Sequence, residues 1–153
     1  MKPLVQFAIA ASLVCAAVAA HANDGMVTVP SKYSVADTAD RMESAVRKIQ
    51  PPMHFFTRID LQATAATQGG AVRPTQLLVF GRGTISAMLL PSNPTIGLDL
   101  PLKALVWEDA NGKVWLTYNT GAYIMQRHGA AARDDLAKRI TNVTAELAKA
   151  ATE

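Results

Sequence analysis

Apolar and polar residues alternate with a period of two along much of the chain, and this pattern predicts a sheet. The clearest case is residues 98–119, where two alternating runs flank Asn111-Gly112. Asn-Gly between such runs is the typical signal of a β-hairpin. A two-residue loop can close this hairpin, or a type I turn followed by a glycine bulge, and the two closures place different side chains together.

The register of the hairpin decides which residues share a face. In the bulged register Trp107 lies opposite Trp115, whereas the two-residue loop mixes apolar and polar residues on both faces. Because a slip of one residue moves a whole hydrophobic set to the wrong side of a sheet, the bulged register is favoured. It gives one face Leu102, Ala104, Val106, Val114, Leu116 and Tyr118, and the other Lys103, Leu105, Trp107, Trp115, Thr117 and Asn119.

The remaining patterns predict an α+β fold. Apolar residues at helical spacing indicate a first helix that Ser34 caps and Pro51 ends, and a second over about residues 133–150. The order strand, helix, several strands, helix is typical of a mainly antiparallel sheet of four to five strands with two main helices on one face. Besides the hairpin, strands are predicted at residues 26–30, 53–61 and 75–80, a short helix at 123–128, and residues 84–90 are ambiguous.

The first residues match a secretory signal. Lys2 precedes an apolar run, and Ala20-His21-Ala22 has the small-x-small pattern of a cleavage site. We therefore expect residues 1–22 to be a cleaved signal peptide and residues 23–153 to form a single α+β domain that includes the C-terminal helix. The expected location is periplasmic or secreted, without a membrane anchor after cleavage.

Composition narrows the chemistry of the mature chain. Its only cysteine, Cys15, lies in the expected signal, which leaves neither a disulfide nor a thiolate site after cleavage. In the full sequence the 15 Lys and Arg residues, one of which is Lys2 of the expected signal, are scattered and only slightly outnumber the 12 Asp and Glu residues, so nucleic-acid binding is not expected. His54 and His128 are weak metal candidates that lie far apart in sequence, and no cofactor is predicted.

Two stretches are candidates for binding. Gly81-Arg82-Gly83 follows a strand and can present backbone N–H groups and a guanidinium to an anion, although a tight turn explains the same residues. Trp107 and Trp115 share a face that is either covered by a helix or open to a partner subunit or an apolar ligand. Since the opposite face of the hairpin is apolar enough to hold both helices, an interface on the tryptophan side is favoured.

Residues 25–129 carry motifs that together resemble the bacterial family named domain of unknown function 302. The resemblance implies a small α+β domain with a TATA-binding-protein-like arrangement, often paired as a dimer, and no established activity. The motifs are Ser31-Lys32-Tyr33-Ser34-Val35 with Thr38 and Arg41-Met42, Arg58-Ile59-Asp60, Arg73-Pro74-Thr75-Gln76-Leu77-Leu78-Val79-Phe80-Gly81, Leu98-Asp99-Leu100-Pro101-Leu102-Lys103, Val106-Trp107-Glu108-Asp109, Gly112-Lys113-Val114-Trp115, Tyr118-Asn119 and Arg127-His128-Gly129.

The chain departs from the family pattern at two places. The family commonly has His after the Asp that ends the second strand, whereas Leu61 follows Asp60 here, and it tends to have Asn-Pro where this chain has Arg82-Gly83. These departures lower the expectation of catalysis and of metal binding. The resemblance at Asp60, Glu108 and Tyr118 remains, and it implies a polar ligand pocket as a candidate.

No catalytic constellation is visible in the sequence, so the protein is predicted not to be an enzyme. The sequence instead indicates an exported, non-catalytic binding or protein-interaction module that acts as a homodimer with its sheet as the working surface. The alternative is a periplasmic protein that binds a small ligand, a metal or haem at Asp60, His54 or His128.

Overall fold

A computed structural model describes residues 21–23 and 25–153. Residues 1–20, which hold most of the expected signal peptide, lie outside the described residues. The strands are β1 (His21–Asn23), β2 (Met26–Pro30), β3 (His54–Asp60), β4 (Thr75–Gly81), β5 (Leu102–Glu108) and β6 (Val114–Asn119). The helices are α1 (Val35–Lys48), α2 (Leu61–Ala66), α3 (Gly83–Leu89), α4 (Gly121–Arg127) and α5 (Asp134–Thr152), with a 3₁₀ helix at Pro94–Leu98.

The six strands form one antiparallel sheet in the order β1-β2-β6-β5-β4-β3. Strands β2 to β6 are the five that the sequence predicts. Strand β1 adds a short edge strand beside β2, and its residues His21 and Ala22 belong to the expected signal peptide. Helices α1 and α5 pack against each other and against one face of this sheet, and α4 packs against α5. The predicted α+β class is therefore confirmed.

The core lies between the sheet and helices α1 and α5, and local signals place both helices. The Ser34 hydroxyl caps α1 by accepting a hydrogen bond from the backbone N–H of Asp37 (3.1 Å). Apolar residues one helical turn apart then face the sheet. The core side chains with 2% exposure or less include Ala39, Met42, Val46, Leu78, Phe80, Ala104, Val106, Leu116, Leu136, Ile140 and Leu147.

The β5–β6 hairpin has the bulged register that the sequence predicts. Trp107 pairs with Trp115. The Gly112 N–H donates to the Asp109 carbonyl (3.1 Å), and the Asp109 N–H donates to the Lys113 carbonyl (2.9 Å). Gly112 has φ +77°, the left-handed conformation in which glycine follows a type I turn. Buried and half-buried residues alternate along both strands, so both predicted faces are confirmed.

Strand β3 departs from simple alternation. Alternation with a period of two along the predicted strand 53–61 places Phe55 and Thr57 on one face. A bulge between them instead pairs Phe55 with Phe80 and Thr57 with Val79. Phe80 is buried in the core whereas Val79 lies on the other face, so that prediction is wrong for this pair. The bulge leaves Phe56 54% exposed at the sheet edge.

Candidate functional site

The sheet face opposite α1 and α5, which we call the open face, keeps its side chains half-exposed instead of buried. Cross-strand pairing aligns apolar residues and threonines in rows across it. Two of its apolar residues, Met26 and Ile59, are 45% and 39% exposed. The middle of the open face consists of Thr28, Leu77, Val79, Leu105, Trp107, Trp115 and Thr117.

Trp107 and Trp115 stack on this face with ring centroids 6.4 Å apart and planes inclined by 25°. The indole N–H of Trp107 donates to the Thr117 hydroxyl (3.0 Å), which lies 2.9 Å from the Thr28 hydroxyl. The indole N–H of Trp115 donates to a carboxylate oxygen of Asp109 (2.9 Å). The polar atoms of the pair are thus satisfied within the chain.

Asp109 holds both the turn and the second indole. Its carboxylate also accepts from the backbone N–H groups of Lys113 (3.0 Å) and Asn111 (2.8 Å). The hydrogen bond from Trp115 is the main cause that lowers the pKa of the Asp109 carboxyl, with the bonds from Lys113 and Asn111 adding to it. Asp109 therefore caps the turn of the β5–β6 hairpin.

The lysines near the open face lie towards its ends. The Lys103 ammonium donates to the carbonyls of Leu98 (3.1 Å) and Pro101 (3.0 Å) at one end. Burial lowers the pKa of Lys103, and the nearby Asp99 carboxylate opposes that shift. At the hairpin end the Lys113 ammonium sits 4.1 Å from the centre of the Trp115 ring. The residues in the middle of the open face are themselves uncharged, and two lysines border them, Lys103 beside Val79 and Lys113 over Trp115.

The polar candidates of the family resemblance lie in separate environments. Asp60 caps α2, where its carboxylate accepts from the Ala63 N–H (2.8 Å). Glu108 ends β5 and forms an ion pair with Arg73 at 3.6 Å. Tyr118 is 5% exposed on the core face, and burial raises its pKa. The three residues thus have separate contacts: a helix cap, an ion pair and the core.

The two histidine candidates are also apart. His54 begins β3, with its ring 4.6 Å from that of Phe56. His128 follows α4 and contacts Thr95 and Asp99 instead. Among residues 21–23 and 25–153, no group of three or more His, Cys, Asp or Glu side chains could hold a metal ion.

A buried polar cluster around Asp99 is a feature that sequence reasoning missed. His128 Nε2 lies 2.6 Å from Asp99 Oδ2, and His128 Nδ1 lies 3.2 Å from the Thr95 hydroxyl. Arg127 adds a guanidinium 3.3 Å from the same carboxylate. The side chains of His128 and Asp99 are only 4% and 7% exposed. Both residues belong to the motifs that carry the family resemblance, but no sequence pattern indicates that positions so far apart are in contact.

This cluster resembles the components of a nucleophilic triad, because it joins a hydroxyl, an imidazole and a carboxylate. Its contacts, however, tie the 3₁₀ helix to the end of α4. The Asn93 side chain reinforces that tie by donating to the carbonyl of His128 (3.0 Å). Since a buried carboxylate needs partners, the cluster is explained as a structural connection.

Arg82, the anion candidate, follows β4 and donates to the carbonyl oxygen of Pro51. It lines a cavity of about 630 Å³ between the middle of α5, the start of α3 and the segment after α1. The structure therefore brings Arg82 to a cavity but keeps it away from the tryptophan pair.

Comparisons with known proteins agree with this small sheet-and-helix domain. The family described as "Domain of unknown function DUF302" matches residues 27–153, and the chain belongs to that family. The structure is similar to the crystal structure of the uncharacterized conserved protein DUF302 from Bacillus stearothermophilus, with a TM-score of 0.73 and 18% sequence identity. That similarity covers 83% of this chain and 98% of the other and shows the shared fold.

Curated relatives come from Brucella. Over 115 residues the chain is 43% identical to "Fluoride-specific ion channel FluC 1" of Brucella suis biovar 1 (strain 1330). The aligned segment covers 75% of this chain and 44% of that protein. The chain is also 43% identical over 115 residues to "Fluoride-specific ion channel FluC 2" of Brucella melitensis biotype 1, covering 75% and 42%. The chain thus spans less than half the length of these relatives. In the part of the chain that the structure describes, no helix is long and apolar enough to cross a membrane.

Proposed function

We propose that this protein is an exported, non-catalytic protein-interaction module that forms a homodimer through its open face. The observation that carries the proposal is the combination of half-exposed apolar side chains with polar groups that are already hydrogen-bonded within the chain. The exported location is inferred from the signal pattern of residues 1–22.

Burial of the open face against a partner brings a hydrophobic gain and a possible cost in lost hydrogen bonds. Removing apolar surface from water contributes roughly 25 cal/mol per Å². The usual penalty is an unpaired donor, but Trp107 and Trp115 already donate to Thr117 and Asp109. A flat partner can therefore cover Leu105 and the indole rings without stranding their N–H groups.

A second copy of the chain is the partner that the charge distribution favours. In a two-fold interface each residue near the axis lies close to its own equivalent. Charged residues there would repel, whereas Leu77, Leu105 and Thr117 in the middle of the open face are neutral. Lys113 is exposed and can remain in water, and Lys103 already donates to the carbonyls of Leu98 and Pro101.

The test is the mass of the mature chain in solution, measured by light scattering after size exclusion over a range of concentrations. The wild type is expected at twice the monomer mass. Leu105→Lys places a charge in the middle of the open face and should yield a monomer. Leu98→Lys is the matched control, because Leu98 is 69% exposed and lies outside the open face.

Thermal unfolding of both variants separates a lost interface from a lost fold. A folded, monomeric Leu105→Lys beside a dimeric Leu98→Lys supports the proposal. A monomeric wild type at all concentrations, or a folded Leu105→Lys that stays dimeric, contradicts it.

The Brucella relatives favour a second candidate, in which the partner is a channel. Their names describe fluoride channels, and more than half of each lies outside the similarity to this chain. We propose that a domain of this kind associates with the remaining part of such a channel. Co-purification of this chain with that part of the Brucella suis relative tests the idea, and failure to co-purify would leave the homodimer proposal untouched.

A further inference from the structure

The cavity beside Arg82 is separate from the open face and is large enough for a small molecule. Its volume of about 630 Å³ lies within the ~300–1,000 Å³ of typical ligand pockets. It is formed where four segments meet: the end of α1 with the residues that follow it, the β4–α3 junction, the start of β5, and the middle of α5.

Most of the cavity wall is apolar. The side chains that give it this character come from all four segments: Ile49, Met53, Ile85, Leu100, Ile140 and Val143. Of these, Leu100 and Ile140 are buried, whereas the others are half-exposed. An apolar lining with few polar groups is typical of a site that binds the hydrocarbon part of a ligand.

Arg82 supplies the most specific polar feature of this wall. One terminal nitrogen donates to the carbonyl of Pro51. The Nε atom is buried, and among the described residues it has no hydrogen-bond partner. No carboxylate of the described chain lies within ion-pair distance of Arg82. The side chain as a whole is half-exposed, and a guanidinium without a carboxylate partner favours an anionic acceptor.

A second guanidinium lines the same cavity from α5. Arg139 has no carboxylate within 4.0 Å in the part of the chain that the structure describes, although Asp135 lies one turn away on the same helix. Glu146 is the one carboxylate in the described lining. Two arginines against one glutamate leave the cavity with a positive balance.

We propose that this cavity binds a small apolar carboxylate, with its hydrocarbon part against the apolar wall and its carboxylate at Arg82, aided by Arg139. A carboxylate matches the planar fork of a guanidinium better than an alcohol does. This binding site is independent of the proposed dimer, because none of its lining residues lies in the middle of the open face.

The experiment compares three probes of equal chain length on the full mature protein: octanoate, 1-octanol and octylammonium. Calorimetric titration should detect octanoate binding and much weaker binding of the other two. Amide NMR signals of residues 81–86 and 139–146 should shift with octanoate. Equal affinity for octanol, no binding of octanoate, or shifts confined to the open face would overturn the proposal, and none of these outcomes depends on a variant.

Charge variants then assign the roles. Arg82→Gln should weaken octanoate binding about tenfold or more, because it removes a charge-assisted hydrogen bond. Arg139→Gln should weaken it less, and Glu146→Gln should strengthen it. Arg73→Gln is the control for a surface arginine outside the cavity and should change nothing. Unchanged affinity in a folded Arg82→Gln would overturn the proposed role of Arg82.

Discussion

The two faces of the sheet are built from the same strands and the same residue types, yet they differ in what covers them. On one face, α1 and α5 bury Leu116 and Val106 completely. On the other, Leu105 and Thr117, their immediate neighbours in the hairpin, remain half-exposed. The comparison shows that strand alternation alone does not create a core, because a core also needs an amphipathic helix to pack on it.

The faces also differ in how they handle polar atoms. The core face has few side-chain polar groups, and buried hydroxyls such as those of Thr144 and Thr152 bond to carbonyls one turn earlier in α5. The open face links Thr28, Thr117 and Trp107 to one another across three strands. These polar atoms therefore keep their hydrogen bonds whether the open face contacts water or a partner.

The largest expected effect is on the free energy of unfolding when a leucine on each face is shortened to alanine. Leu116→Ala leaves a cavity in the core and should lower the free energy of unfolding by about 2–5 kcal/mol. Leu105→Ala removes a half-exposed side chain and should cost about 1 kcal/mol in the monomer. Urea unfolding monitored by circular dichroism measures both values.

Protein concentration sharpens this comparison. If the open face is a dimer interface, the cost of Leu105→Ala should grow with protein concentration, because association stabilises the folded state by mass action. The cost of Leu116→Ala should exceed that of Leu105→Ala at every concentration. Equal costs in dilute protein would mean that the faces are not energetically distinct.

The next effect concerns the turn that sets both faces. Gly112→Ala puts a Cβ at φ +77° and should destabilise the fold by about 1–2 kcal/mol. Gly83→Ala is the control, because a Cβ there meets no atom within 4 Å and the backbone is not left-handed. Chemical unfolding should show a loss for the first variant only, and an unaffected Gly112→Ala would contradict the bulged turn.

The smallest effect is a pH dependence at Asp109. Its hydrogen bond from Trp115, with those from Lys113 and Asn111, holds its folded-state pKa below the ordinary value. The ionised Asp109 carboxyl contributes fully to stability above the pKa that it has in the unfolded state. This contribution is lost as the pH falls through the folded-state pKa, starting below about pH 5. Asp109→Ala should therefore show a shallower loss of thermal stability on acidification than the wild type, and parallel curves would exclude this role.

Much of this architecture could be predicted because its signals are local. Ser34 caps α1 through Asp37, three residues away, and Asn111-Gly112 defines its own turn. The β3 bulge could not be predicted, because the segment Phe55-Phe56-Thr57 contains no glycine or other residue typical of a bulge. Strict alternation is the default reading of such a run.

The sites were predictable only where neighbours in sequence are neighbours in space. Trp107 and Trp115 flank a short turn, so their stacking followed from the register. Asp99 and His128 meet only because the 3₁₀ helix lies against the end of α4. The Arg82 cavity likewise depends on four segments that converge after folding, and no periodicity encodes such a convergence.

The stacked indoles on the open face also provide an intrinsic fluorescence signal that is specific to that face. Trp107 and Trp115 are the only two tryptophans in the chain. Both belong to the open face, and neither lines the cavity. Tryptophan emission and its quenching by soluble iodide therefore report on events at one face of the sheet, so a ligand held beside Arg82 would leave the emission nearly unchanged while a partner on the open face would alter it.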